Sequence, residues 1–198
     1  MSIAKREITP GDVLPPAEYA AIRREHRKHV TAIKRLRRIA VGPFTTWHFE
    51  NYETMWHQIH EMLFIEKGGA EQVADELAAY NPLIPKGREL VATVMIEIDD
   101  PVRRARALAR LGGIEHAAFL RFAGETVMGV PEADQDRTSE TGKASAVQFL
   151  HFPFTDAQVA KFAAPGTEVM AGFGHAEYGH IAVMPEAVRH ALSQDFAA

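Results

Sequence analysis

The chain has 198 residues, 46% hydrophobic and 24% charged, with a formal net charge of −4 and a pI near 6.2, which is enough apolar material for one buried core. Its complete lack of cysteine excludes disulfides, thiolate zinc sites, cysteine-ligated iron–sulfur clusters and cysteine nucleophiles. No run approaches the ~18 apolar residues of a membrane span, and Met1–Glu7 lacks the apolar region of a signal peptide, so the expectation is a cytoplasmic protein that needs no membrane.

In chain order, Pro15 and Pro16 open a helix expected from about Ala17 to Ile39, because proline is tolerated in a first helical turn. Gly42-Pro43 stops it, and Phe44 to Phe49 reads as a strand. Asn51 is an N-cap for a second helix to about Glu66. A third helix covers Ala70 to Ala79, followed by the proline loop Tyr80–Pro85. Leu90 to Asp99 alternates strictly, with Leu90, Ala92, Val94, Ile96 and Ile98 on one face, and is expected to be central to a sheet. Asp100-Pro101 caps a helix to about Leu111. Strands are expected near residues 116–122, 126–130, 146–152, 168–173 and 178–184. A capping box at Thr155 and Gln158 starts one helix, and Pro185 starts the last. The polar, acidic stretch 131–145 reads as a flexible loop. The fold class is α+β: a single domain over 1–198, mostly antiparallel sheet packed by helices, with a basic amphipathic helix at the N-terminus.

That first helix concentrates charge. Residues 23–38 hold eight cations against Glu25 alone, a net +7, leaving −11 for the remainder. At about 100° per residue, Arg23, Arg24, Arg27, Lys28, Lys34, Arg35 and Arg38 share one arc, while Tyr19, Ile22, His26, His29, Val30, Ile33 and Leu36 share the other. The arc reads as a face for an acidic partner or another anion. The competing reading is a solvated face neutralised by the acidic body of the same chain. Nucleic acid is not the expected partner, because the pI is low and no helix-turn-helix pair is visible.

Two histidine sets have metal-compatible chemistry. Glu53, His57, His60 and Glu61 form one stripe of the second helix, although Glu53-x-x-Trp56 misses the Glu-x-x-His element of di-iron bundles and Phe64 breaks the His60-Glu61-x-x-His pattern of zincins. His175, Tyr178 and His180 flank a tight strand connection, with Glu177 between them; N/O ligands of this kind suit iron, zinc or copper. His48, Glu50, Glu97, Asp99, Glu115, His116 and His151 stand on strand-like positions from which any two facing one cavity make an acid–base pair. Phosphate loops, dinucleotide fingerprints and nucleophile elbows are absent, and there are only four serines. That argues against nucleotide-loop enzymes and elbow-type serine hydrolases. Gly172-Phe-Gly174 is turn chemistry.

The segments Arg37–Pro43, His48–Met55, Gln58–Leu63, Tyr80–Pro85 and Leu90–Thr93 with Glu97, then Gly113–His116 and Ala146–Phe154, together resemble an uncharacterised bacterial family, domain of unknown function 3501. The resemblance implies no reaction. It implies a genomic setting beside a rubrerythrin-like di-iron protein and a cysteine-rich iron–sulfur oxidoreductase, hence a redox or oxidative-stress role by association. The family pattern carries Glu50, Asn51, Glu53, Thr54, Gln58, Glu61, Asn81, Glu97 and Glu115, and usually an aromatic residue and Gln where this chain has His57 and His60. With His116, this set suits a polar cavity or an oxygen-rich site for a divalent metal, while Asn51 and Asn81 also suit a cap and a loop brace. The leading expectation is an accessory or binding protein whose partners are those redox proteins, with self-association open. The alternatives are a metal- or cofactor-dependent oxidoreductase and a nucleic-acid binder.

Overall fold

The computed structural model describes residues 5–132 and 142–196. Helix α1 runs Pro16–Arg35 and is followed by β1 (Arg38–Ala40) and β2 (Thr45–Phe49), then α2 (Tyr52–Glu66), α3 (Gly69–Tyr80) and β3 (Glu89–Ile96). The second half holds α4 (Pro101–Arg110), β4 (Ala118–Phe122), β5 (Glu125–Met128), β6 (Val130–Pro131), β7 (Val147–Pro153), α5 (Asp156–Ala163), β8 (Val169–His175), β9 (Tyr178–Val183) and α6 (Glu186–Ser193). The class is α+β with antiparallel pairing throughout the described strands. The strands divide between two sheets, ordered β1-β2-β3-β7-β6 and β5-β4-β8-β9.

The two sheets face one another across the main core. Trp47 on β2 stacks on Phe152 of β7 at 5.4 Å and meets Phe173 of β8 edge-on at 5.1 Å. Strand β3 lies centrally, as its alternation requires. Leu90, Ala92, Val94 and Ile96 enter this core, while Val91 on the opposite face joins a second cluster with Met55, Ile59, Leu77 and Leu83 beneath α2 and α3. A strand buried on both faces cannot tolerate a register slip, because a slip by one residue exchanges the two clusters. The layers are therefore helices α1–α3, sheet, sheet, with α5 and α6 closing one end through Phe162, Val188 and Leu192.

The local signals are visible where expected. Asn51 accepts from Thr54 N at 3.0 Å and Thr54 Oγ1 accepts from Asn51 N at 2.9 Å. Thr155 and Gln158 make the same reciprocal pair, and Asp100 caps α4.

Three expectations are corrected. The first helix ends at Arg35, and residues 38–40 are strand, since Ile39 pairs with Trp47 and the Arg37 side chain is drawn inward. The 126–130 strand splits. Its first part belongs to the β4–β8 sheet and Val130-Pro131 to the other, with Gly129 at the crossing, where a Cβ would meet Phe152 at 3.2 Å and Ala118 at 3.3 Å. Within the expected 131–145 loop, Pro131 is sheet and Ala144 is buried with its N–H on Leu108 O. Residues 133–141 lie outside the described residues.

Candidate functional site

Helix α1 lies against α2 along its apolar arc, and the contact is organised by one acid. Glu61 accepts from Arg23 Nε and Arg23 Nη2, both at 2.8 Å, and from the Tyr19 hydroxyl at 2.7 Å. The Arg23 guanidinium, then burial and the Tyr19 hydroxyl acting in opposite senses, hold the Glu61 carboxyl down at about 2. Burial and the same carboxylate push the Tyr19 phenol up. His57 Nδ1 lies 3.2 Å from the Tyr19 hydroxyl, and burial takes its pKa down to about 4. Burial also lowers His26 and His60. Burial thus disfavours charge on all three imidazoles, and the Arg23–Glu61 pair closes the contact within an aromatic packing of Tyr19, Trp56, His60 and Phe64.

The other side of α1 is open. Arg24, Arg27, Lys28 and Arg35 are exposed, and with Arg23 and Phe64 they line a groove of about 630 Å³. Arg23 lies over the Phe64 ring at 4.5 Å, and Lys28 reaches Glu25 at 2.9 Å on the solvent side. Among the described residues, Arg24, Arg27, Lys34 and Arg35 form no ion pair. Arg38 leaves the arc because it stands on β1, exposed. Arg37 is buried: its Nε donates to Phe49 O at 2.9 Å, Nη2 to Glu50 O at 3.0 Å, and the guanidinium pairs with both oxygens of Asp195.

Neither histidine set is assembled as a ligand set, and no group of three or more His, Asp or Glu suited to holding a metal occurs among the described residues. His60 is engaged at both nitrogens, Nδ1 donating to Trp56 O at 2.7 Å and Nε2 accepting from Leu14 N at 2.9 Å. Glu53 turns to His29 at 3.5 Å, away from the Glu61 cluster. In the hairpin, His175 Nε2 donates to Gly112 O and Nδ1 accepts from Glu177 N. Tyr178 accepts from Phe44 N and donates to Val41 O at 2.9 Å. His180 packs against the Tyr178 ring at 4.4 Å. Both rings lie on Gly42, where φ is +74° and a Cβ would sit 2.5 Å from the Tyr178 oxygen. These side chains join the hairpin to the β1–β2 turn.

The polar set is dispersed rather than gathered in one cavity. Glu50 is buried and accepts from Thr54 Oγ1 at 2.6 Å and Thr93 Oγ1 at 2.8 Å. Glu97 is exposed just beyond the other end of β3 and accepts from Thr46 at 2.5 Å. Asn51 is the α2 cap, and Gln58 is half-buried beside Tyr80. Asn81 pairs with Ile8, giving Nδ2 to Ile8 O at 2.9 Å and taking Ile8 N on Oδ1 at 2.8 Å. Glu115 is buried in the turn after α4, where His116 is exposed.

One constellation was only partly named from sequence. His151 lies between Glu89 at 2.9 Å and Glu132 at 3.4 Å, one carboxylate on each ring nitrogen. The Glu89 contact above all raises its pKa. The β3–β7 register, in which Val91 opposes His151, creates this pairing, and register is not printed in either strand alone.

Comparison with known proteins is consistent over almost the whole chain. A family described as "Protein of unknown function (DUF3501)" matches residues 7–196. The chain is similar to a crystal structure of a novel protein of unknown function from Burkholderia pseudomallei K96243, with 37% identity, a TM-score of 0.89, and coverage of 96% of this chain and 99% of that one. No curated protein matches.

Proposed function

The chain belongs to the DUF3501 family of proteins of unknown function, and from that premise we propose that it is a docking protein that binds an acidic partner through the exposed basic face of α1. The observation that carries this reading is the set Arg24, Arg27, Lys34 and Arg35, which no acid among the described residues neutralises although the whole chain is net −4. Among the described residues, the Lys and Arg side chains of α1 that meet an acid are Arg23 with Glu61 and Lys28 with Glu25. Exposed, unpaired cations steer encounter and select partners of opposite charge more than they stabilise their own fold. Glu61 fixes Arg23 and thereby the pitch of α1 on α2, so the other cations are displayed from a braced helix.

The partner class we assign is the acidic surface of a redox protein, namely the rubrerythrin-like and iron–sulfur proteins implied by the family's genomic setting. The same reading sets the protein in the cytoplasm; no described helix is long and apolar enough to cross a membrane. The test is surface plasmon resonance with each redox protein at several salt concentrations, using the wild type and the triple variant Arg24→Glu/Arg27→Glu/Arg35→Glu. We expect affinity to fall with salt and by about tenfold or more in the variant. Equal affinity of variant and wild type, or binding to duplex DNA with none to either protein, overturns the proposal.

A further inference from the structure

Next to the basic groove, and sharing Phe64 with it, the N-terminal segment, the start of α1, α2 and α3 line an open-mouthed cavity of about 610 Å³, a size that ordinarily accommodates a small molecule. Pro10, Pro15 and Pro16 in its wall carry no backbone N–H, and Leu14, Leu63 and Val73 present apolar side chains. The polar side chains that reach it are already committed. His60 is bonded at both nitrogens, and the Tyr19 hydroxyl is held by Glu61. An occupant therefore finds almost no hydrogen-bonding partner along the wall, which disfavours a sugar, nucleoside or peptide backbone that would have to shed its water uncompensated.

The exception is Lys67, the only charged residue among the described residues of the lining. It ends α2 in a left-handed conformation, with φ 57°, is exposed, and has no ion pair among the described residues. Its backbone N–H bonds Leu63 O, so the residue is anchored while its ammonium is unpaired.

We propose that this cavity is a binding site for a small apolar monoanion, an acyl or aryl carboxylate. The hydrocarbon body fills the space between the prolines and Leu63, and the carboxylate pairs with Lys67 at the mouth. The assignment joins two independent features: an apolar volume that selects the body and a lone cation that selects the head. It does not depend on docking of an acidic partner by α1, since Phe64 is the only side chain of α2 that both lining sets share.

The test is isothermal titration calorimetry of the full chain with three ligands of one tail length: octanoate, octanol and octylammonium. Octanoate is expected to bind about tenfold tighter than octanol, and octylammonium most weakly. Lys67→Gln is expected to remove the advantage of octanoate and leave octanol unchanged. Ala70→Trp, a substitution at an exposed position that borders the cavity, is expected to block all three. Methyl NMR of the wild type gives the same test without a variant, because octanoate should shift Leu14, Leu63 and Val73. Failure of octanoate to saturate, equal affinity for octanoate and octanol, or shifts confined to other methyls overturns the proposal.

Discussion

Replacing Arg37 by Met keeps an apolar stem and removes a guanidinium that is 5% exposed. Four interactions are lost together: the two carbonyl contacts, Phe49 O at 2.9 Å and Glu50 O at 3.0 Å, and both contacts to Asp195. Breaking a buried ion pair from one side costs about 3–5 kcal/mol, because the remaining charge is poorly solvated, and Asp195 would keep only the weaker influence of Arg6, which bonds its backbone carbonyl. Each orphaned carbonyl adds about 1 kcal/mol where solvent cannot reach it. The terms overlap, so we expect a loss of about 4 kcal/mol for Arg37→Met, a large share of the ~5–15 kcal/mol that holds a domain of this kind together. Urea denaturation followed by circular dichroism and tryptophan emission measures it. The double variant Arg37→Met/Asp195→Leu removes both charges and leaves only the carbonyls unpaired, so it should recover about half of the loss. Burial pushes the Asp195 carboxyl up while Arg37 opposes that shift; without Arg37 the acid takes a proton more easily, and the deficit of the single variant should shrink as pH falls. A loss below about 1 kcal/mol, or a double variant no more stable than the single one, refutes the reasoning.

The His151 contact predicts a pH dependence of stability. Glu89 raises the folded-state pKa of His151 above its usual value, so the stabilisation is fully present below the unfolded pKa, about 6.5, and is lost as pH rises through the raised value. Glu89 is itself lowered, so its contribution is present above its unfolded pKa and lost as pH falls through the lowered one. The stability difference between wild type and His151→Leu should therefore narrow toward alkaline pH; a difference that stays level across neutral to alkaline pH contradicts the ion-pair reading. Asn81→Ala removes both bonds to Ile8 and should cost about 1–3 kcal/mol. Amide exchange around residues 5–9 should accelerate with it, and unchanged exchange there counts against Asn81 as the brace of that segment.

Much of the secondary structure was legible in short windows. The Asn51–Thr54 and Thr155–Gln158 boxes, Asp100 before Pro101, and the alternation from Leu90 to Ile98 are local features, and the physics of caps and strands acts over a few residues. They sufficed for an α+β chain with a central β3 and for a basic helix, and the family resemblance followed from the same stretches. Tertiary structure decided what those residues face. Arg37 reads as one more helix cation until Asp195, 158 residues later, draws it inside. His60 and His175 read as ligands until backbone groups of Leu14 and Gly112 occupy their nitrogens. Glu50 and Glu97, both carboxylates of the family pattern, prove to belong to opposite ends of β3. Composition and periodicity determine which side chains are available and on which face of an element they stand. Whether a charge is paired, a ring nitrogen engaged or a cavity left apolar depends on partners brought close only when the sheets and helices pack, and no short window of sequence contains those partners.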